Sequence, residues 1–350
     1  MKPAIILPLA SLLLTGCSMV GTAPIAGQPV HHVEGGFRNT NPEFRRPDAW
    51  TRGKFWVTRG WANTFTPRSF DAPRVANDGS ALRDGVAGTG NPTPTITWVG
   101  HSTLLVQLDG VTLLTDPQWS GRASPVSWAG PRRLSPPGLA FDDLPRIHVV
   151  LISHDHYDHL DLDTVKRLAA THDPLFVVPL GLKRWFADQG IFRVEELDWW
   201  DVLPFRGLRV VCVPAQHFSQ RSLSDGNTRL WASWAVIGAS RRLFVGGDSG
   251  YFDGFRQVGE RLGPFDLVAL AIGAYRPAEI MRFVHTTPEE AVQAFEDLGG
   301  RTLLGMHWGT FDLAEEPLDE PPARMRAEAS RRGIPPERAW IMKLGETRPW

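Results

Sequence analysis

A chain of 350 residues with 42% apolar and 21% charged residues can bury a large core, as one big domain or two small ones, and lacks the composition of a disordered protein. Its formal net charge of −1, with no Lys/Arg run longer than two residues, excludes a nucleic-acid binder that works through a basic face. The 14 tryptophans are expected to pack in core and loops rather than to face lipid.

The first residues, MKPAIILPLASLLLTGCSMV, place one lysine before an apolar stretch too short to span a bilayer, then small residues ahead of a cysteine. Leu14-Thr15-Gly16-Cys17 resembles the lipobox of bacterial lipoproteins, in which cleavage leaves the cysteine lipidated at the new N-terminus. Residues 1–16 are thus expected to be a lipoprotein signal peptide and Cys17 the lipidation site. The serine that follows Cys17 resembles outer-membrane sorting, which puts the domain in the periplasm, tethered to the membrane by N-terminal lipid. The alternative is an ordinary cleaved signal with an incidental cysteine. Cys212 is left without an intrachain partner, and no disulfide framework is expected.

Residues 17–47 are polar, rich in Gly and Pro and without periodicity, so they read as the lipidated N-terminus and a flexible tether, with His31 and His32 solvated. A single domain is expected over 48–350. The stretch GVAGTGNPTP (Gly85 to Pro94) neither follows a strand nor opens a helix, so it reads as a linker and not as a phosphate loop. After Pro94, TITWVG, STLLVQLDG and VTLLTDP predict an antiparallel meander with Asp109-Gly110 as its hairpin turn. A proline-rich loop from Gln118 to Gly138 leads to the buried strand IHVVLIS, in which His148 is a packed residue. The helix LDLDTVKRLAA, the strand LFVVP, the helix LGLKRWFADQ and strands near VEELD, LRVVCVP, LWASWAVIG and RRLFVGG follow. The strand FDLVALAIG, a helix from Pro288 to Leu298, the strand TLLGMHW and a helix from about Pro322 to Arg331 complete the pattern. Interleaved helices and strands imply a layered α/β fold.

Metal-capable side chains gather at strand ends on that frame. VVLISHDHYDHLD sets His154 and His156 at i and i+2 directly after a strand, where extended geometry projects both to one side. Asp158 and His159 lie just beyond, where a turn can swing them to a second position. His217, Asp248 and His307 each follow another strand, and the carboxyl ends of strands are where open α/β sheets gather their sites. Seven such ligands are too many for one tetrahedral zinc and suit two metals bridged by a carboxylate.

The set His-x-His-x-Asp-His, then His, Asp and His, resembles the metallo-β-lactamase superfamily. WVGHST, LLTDP, LISHDHYDHLD, ELDWW, GGDSGY, GPFDLVALAIGAY, HTTPEEA and HWGTF resemble, within it, the N-acylphosphatidylethanolamine-hydrolysing phospholipase D family. The resemblance implies an αβ/βα four-layer sandwich with two Zn2+. One zinc falls to His154, His156 and His217, the other to Asp158, His159 and His307, with Asp248 bridging. It also implies that Asp158 orients the hydroxide, and that His285 beside the metals contacts the phosphate or protonates the leaving oxygen. The implied reaction is phosphodiester hydrolysis of N-acylphosphatidylethanolamine or a related phospholipid by metal-bound hydroxide at phosphorus. A lactonase or another phosphodiesterase on the same site is the alternative, because a fold does not fix a substrate. A non-catalytic lipid-anchored metal-binding protein is a remote one. His101 is expected to be a buried structural histidine or to hydrogen-bond a ligand or Asp116. His172 caps a helix end, Arg132 and Arg133 belong to a solvated loop, and ELDWWD packs. GDSG (Gly247 to Gly250) echoes a serine-protease motif but lacks that motif's all-β, disulfide-bonded context.

Overall fold

The computed structural model describes residues 20–87 and 93–350. The expected signal peptide with Cys17, and residues 88–92 of the glycine-rich stretch, lie outside them. The chain opens with a small hairpin, β1 (His32–Val33) and β2 (Gly36–Phe37), followed by helices α1 (Ala49–Phe65) and α2 (Ser80–Ala87). Helix α2 takes the first residues of the expected linker.

One sheet contains β3 (Thr95–Gly100), β4 (Thr103–Leu108), β5 (Val111–Thr115), β6 (Val149–Leu151), β7 (Leu175–Pro179) and β8 (Val194–Leu197). Helices α3 (Leu162–Thr171) and α4 (Leu182–Asp188) connect its parallel strands. The second sheet begins with β9 (Val202–Phe205), β10 (Leu208–Val213), β11 (Ser233–Ile237) and β12 (Arg242–Val245), which are antiparallel neighbours. After α5 (Gly254–Leu262) come β13 (Leu267–Ala271), the short α6 (Ala278–Met281), α7 (Pro288–Asp297), β14 (Thr302–Met306), α8 (Glu320–Arg331) and β15 (Ala339–Trp340). The last strand, β16 (Thr347–Pro349), returns to pair with β3, so each sheet has seven strands.

Alternation along β6 shows how the layers form. Val149 and Leu151 join the core between the sheets, while Val150 and Ile152 face the core under α3 and α4. Both faces are apolar because both are covered, which is the pattern of a sheet buried under helices on one side and another sheet on the other. The outer face of the second sheet is covered by α5, α7 and α8, whose Phe255, Val292 and Met325 belong to the same contiguous apolar cluster. The result is the αβ/βα four-layer sandwich. Asp109 and Gly110, both in the left-handed region, make the β4–β5 turn as expected.

The expected tether is corrected from residue 20 onward. His31 is buried, not solvated; its Nε2 lies 2.7 Å from Asp198 Oδ1, and that of His32 lies 2.8 Å from Asp198 Oδ2. Trp199 stacks on His31 at 4.2 Å, so ELDWWD packs, and it packs against the N-terminal segment. The low-periodicity composition conceals this docking because scattered polar contacts and the isolated buried side chains Val33 and Phe37, not a periodic apolar stripe, hold the segment.

Candidate metal centre

Parallel directions put the carboxyl ends of β3, β5 and β6 on one sheet at the same edge as those of β10, β12 and β14 on the other. His101 follows β3, Asp116 follows β5, His154 to His159 follow β6, His217 follows β10, Asp248 follows β12 and His307 follows β14. The chain turns sharply there: His101, Asp116 and His307 all have positive φ, an uncommon state for residues with a Cβ that clusters at functional sites. Gly247 is also left-handed, and a Cβ on it would stand 2.5 Å from the Ser153 Cβ, so glycine is required beside Asp248.

The seven predicted donors and His285 converge in this space. His154 Nε2 lies 2.8 Å from His156 Nδ1, which lies 3.2 Å from His217 Nε2. Asp158 Oδ2 lies 3.3 Å from His159 Nε2 and 3.5 Å from His307 Nε2. Asp248 stands between the two sets: Oδ2 is 3.1 Å from His159 and 3.8 Å from His217, and Oδ1 is 3.1 Å from His307. Donors about 2.0–2.1 Å from a shared tetrahedral ion are roughly 3.3 Å apart, so both sets have the spacing of ligands around an ion. His159 Nε2, Asp248 Oδ1 and His307 Nε2 are buried without a hydrogen-bond partner, as expected of lone pairs directed at a common centre. The residues present therefore fit a binuclear metal site.

Outer partners fix the rings. Asp116 accepts from the Ser153 N–H and hydroxyl at 2.7 Å each, and its Oδ2 lies 2.8 Å from His159 Nδ1. His217 Nδ1 is 2.8 Å from the Val284 carbonyl, and His101 Nε2 is 2.8 Å from Asp158 Oδ2. Each of these contacts ties one ring nitrogen, and for His159 and His217 it leaves Nε2 for a metal. His101 thus takes the ligand-bonding alternative. Burial and the neighbouring histidines push His154 well below the ordinary histidine range. Burial outweighs the pull of Asp248 on His217, which is also held well below it. Burial likewise pulls His159 down, but Asp248, Asp158 and Asp116 more than offset it and hold this ring well above that range. Asp158 and Asp248 are pushed up by burial and pulled further down by His159 and the other rings, so both stay ionised.

His285 Nδ1 lies 3.8 Å from Asp248 Oδ2 and has no hydrogen-bond partner; burial outweighs Asp248 and pushes its pKa down to about 4. Ser249 of GDSG binds only backbone, accepting from the Gln216 N–H and donating to the Gly250 carbonyl, so no histidine activates it. His172 caps α3. Arg132 is exposed, whereas Arg133 donates to the carbonyls of Gln118 and Ser120. Cys212 is a buried free thiol.

A cavity of about 770 Å³ opens onto the donors. His156, Asp158, His217, Asp248 and His285 line it together with Arg45, Arg46, Arg52, Trp56, Val57 and Phe218. The part from residues 44–57 was missed because no helix was expected there. The absence of Asp and Glu from α1, beside Arg52, Lys54 and Arg59, is the signal that was available.

Residues 112–308 match the Beta-lactamase superfamily domain. The chain belongs to the beta-lactamase superfamily. It is 47% identical over 228 residues to N-acyl-phosphatidylethanolamine-hydrolyzing phospholipase D 1 of Caenorhabditis elegans, covering 62% of this chain and 64% of that one. It is 34% identical over 258 residues to the mitochondrial N-acyl-phosphatidylethanolamine-hydrolyzing phospholipase D of Saccharomyces cerevisiae, covering 72% and 55%. The chain therefore spans less than two thirds of each of these relatives. The isothiocyanate hydrolase from Delia radicum gut bacteria shares the fold with a TM-score of 0.59 at 19% identity, over 73% of this chain and 99% of that one. The donor set of this superfamily member is a candidate metal site.

Proposed function

We propose that this protein is a binuclear zinc phosphodiesterase of phospholipase D type, acting on N-acylphosphatidylethanolamine or a related phospholipid and releasing the headgroup. The observation that carries this reading is the joining of two donor sets by Asp248 at the end of a cavity lined by both apolar side chains and arginines. The 47% identity to a relative named for this reaction supports it.

His154, His156 and His217 would hold one ion, Asp158, His159 and His307 the other, and Asp248 both. Bound metals would supply Lewis acidity and a water acidified toward neutral pH. The chain's own residues do the rest. All close contacts of Asp158 fall on Oδ2, which leaves Oδ1 to orient the attacking water. His285, neutral at pH 7, is placed to donate a ring N–H hydrogen bond to a phosphoryl or leaving oxygen, and this replaces a role as an imidazolium acid. Apolar Val57, Met281, Val284 and Leu313 exclude water and accept acyl chain.

The membrane is the proposed partner. Trp50 is 80% exposed, Trp56 51%, Trp61 64% and Phe65 63%, all on α1, whose charged residues are basic. This departs from the expectation that the tryptophans pack, and an aromatic, basic helix beside the cavity suits the interface of an anionic bilayer. Among the described residues no helix is long and apolar enough to cross a membrane, and anchoring is assigned to lipidated Cys17 in the outer membrane.

Hydrolysis in oxygen-18 water tests the reaction. The label is expected in phosphatidate and absent from the released N-acylethanolamine or alcohol. Label in a freed fatty acid would mean carbonyl attack and the lactonase or esterase alternative. Failure of the metal-loaded protein to cleave any phospholipid ends the lipid assignment.

A further inference from the structure

The cavity carries positive charge that the proposed chemistry does not use. Of its four arginines, Arg221 donates to the Asp155 and Leu160 carbonyls and lies against the Tyr157 and Trp185 rings. Arg45 is exposed and donates to the Pro42 and Phe44 carbonyls. Arg46 is different. Its guanidinium lies 4.3 Å over the Phe218 ring, and among the described residues no hydrogen bond or ion pair engages it. Phe218 in turn lies 4.5 Å from the His156 ring and 4.8 Å from that of His217, so a single aromatic ring separates Arg46 from the metal donors.

Arg52 adds a second charge close enough to oppose that of Arg46, and its polar contact is the Pro47 carbonyl, not a carboxylate. Burial and Arg52 push Arg46 down to about 10, which still leaves it charged at neutral pH. Among the described residues, the carboxylates lining the cavity are Asp158 and Asp248, both committed to the donor cluster. Among the described residues no carboxylate pairs with either guanidinium. Two like charges held together without a counter-ion cost free energy, and an arriving anion recovers it.

We propose that Arg46 and Arg52 are the specificity-determining residues of the cavity, a charge filter that admits phospholipids of net negative headgroup and turns away those whose headgroup carries a cation. The proposal rests on the phospholipid reading above. A zwitterionic headgroup places its ammonium a few bonds from the scissile phosphorus and so brings it toward two guanidinium groups. An amide-capped ethanolamine or a glycerol headgroup keeps the phosphodiester charge and brings no cation. The attraction to the phosphate is common to all these lipids; the repulsion is felt only by the zwitterions.

The test compares kcat/KM of the metal-loaded enzyme on N-acylphosphatidylethanolamine and phosphatidylglycerol against phosphatidylethanolamine and phosphatidylcholine, with matched acyl chains in neutral detergent micelles. Wild type should prefer the first pair by about tenfold or more, on the scale of one like-charge contact at intermediate dielectric. Arg46→Gln with Arg52→Gln should lower that ratio at least about fivefold, chiefly through KM of the anionic lipids, and Arg46→Lys should restore most of it because it restores the charge. An unchanged ratio in an active double variant overturns the filter and leaves the phospholipase reading intact. If wild type cleaves no phospholipid, that reading falls by itself, and calorimetry decides the filter. Arg46-dependent binding of dihexanoyl phosphatidylglycerol but not dihexanoyl phosphatidylcholine sustains it. Equal binding of the two, or binding of inorganic phosphate without discrimination between the lipids, overturns it.

Discussion

The two walls of the cavity are built by different means. One is a set of strand ends from two sheets, where buried imidazoles and carboxylates are fixed by hydrogen bonds with Ser153, Asp116, His101 and the Val284 carbonyl. The other comes largely from one stretch, Arg45 to Val57, whose cavity-lining side chains are arginines and apolar groups, several of them turned to solvent, with Met281, Val284 and Leu313 beside them. The first wall has the rigidity that metal chemistry needs, because Asp158, His159 and His217 are each oriented by an outer partner. The second has the mixed surface that an amphiphile needs. On the proposed reading, reaction class would reside in the sheets and substrate choice in the N-terminal segment.

The largest effect should come from breaking the first wall at its shared ligand. Asp248→Ala removes the carboxylate that reaches both donor sets. Phosphodiesterase activity should fall by at least about a thousandfold, and metal content by mass spectrometry should drop from about two ions per chain. Full activity in this variant would end the binuclear reading.

Next in size is the anchor. Cys17→Ala should move the protein from the detergent-extracted outer-membrane fraction to a salt-releasable or soluble one, because α1 alone gives only reversible binding. An unchanged fraction would mean that the lipobox match is accidental.

The second wall can be tested away from the reacting atoms. Trp50, Trp61 and Phe65 are exposed and do not line the cavity. Replacing all three by Ser should slow hydrolysis of lipid in anionic vesicles by about tenfold while leaving hydrolysis of a monomeric dihexanoyl lipid within about twofold, since interfacial aromatics act on binding to the bilayer. Equal losses on both substrates would assign α1 a structural role instead.

The contrast between the walls also explains what the sequence made legible. The donors stood out because metal chemistry demands a few residue types at fixed spacing after strands, and the strands carried clear runs of β-branched and apolar residues. Asp158, Asp248 and His307 could be placed without coordinates for that reason. Helix α1 could not. Its Phe55 is buried while Trp50, Trp56 and Trp61 face outward, so it is apolar on more than one side and has no clean stripe for a periodicity argument. Arg46 lay in a stretch read as tether, and the short helix α5 has the polar sequence GFRQVGERL, held by just Phe255 and Val258. His31 and His32 looked solvated because their partner, Asp198, is more than 160 residues away in the chain.

That last contact lies outside both walls and gives the smallest expected effect. Burial pushes the Asp198 carboxyl up, but the His31 and His32 rings and the Trp199 N–H more than offset it and leave it below the usual carboxylate range. A carboxyl lowered in the folded state stabilises the docked segment above its unfolded pKa, and that stabilisation is lost as pH falls through the folded value. Docking of residues 31–41 should therefore hold from neutral pH down to about pH 4 and loosen below it. The segment matters to the metal wall because Asn39 Nδ2 donates to the His217 carbonyl at 2.7 Å and its Oδ1 accepts from the His217 N–H at 3.1 Å. Asp198→Asn should weaken the docking at pH 7 by about 1.5–3 kcal/mol, the range for a hydrogen bond to a charged group. Hydrogen exchange reads this directly at the Phe37 and Arg38 amides, which donate to the Asn227 and His31 carbonyls. Their exchange should quicken in the variant at pH 7, with only a small loss of activity passed on through His217. Unchanged exchange at both amides would show that Trp199 stacking, and not the Asp198 carboxylate, holds the segment in place.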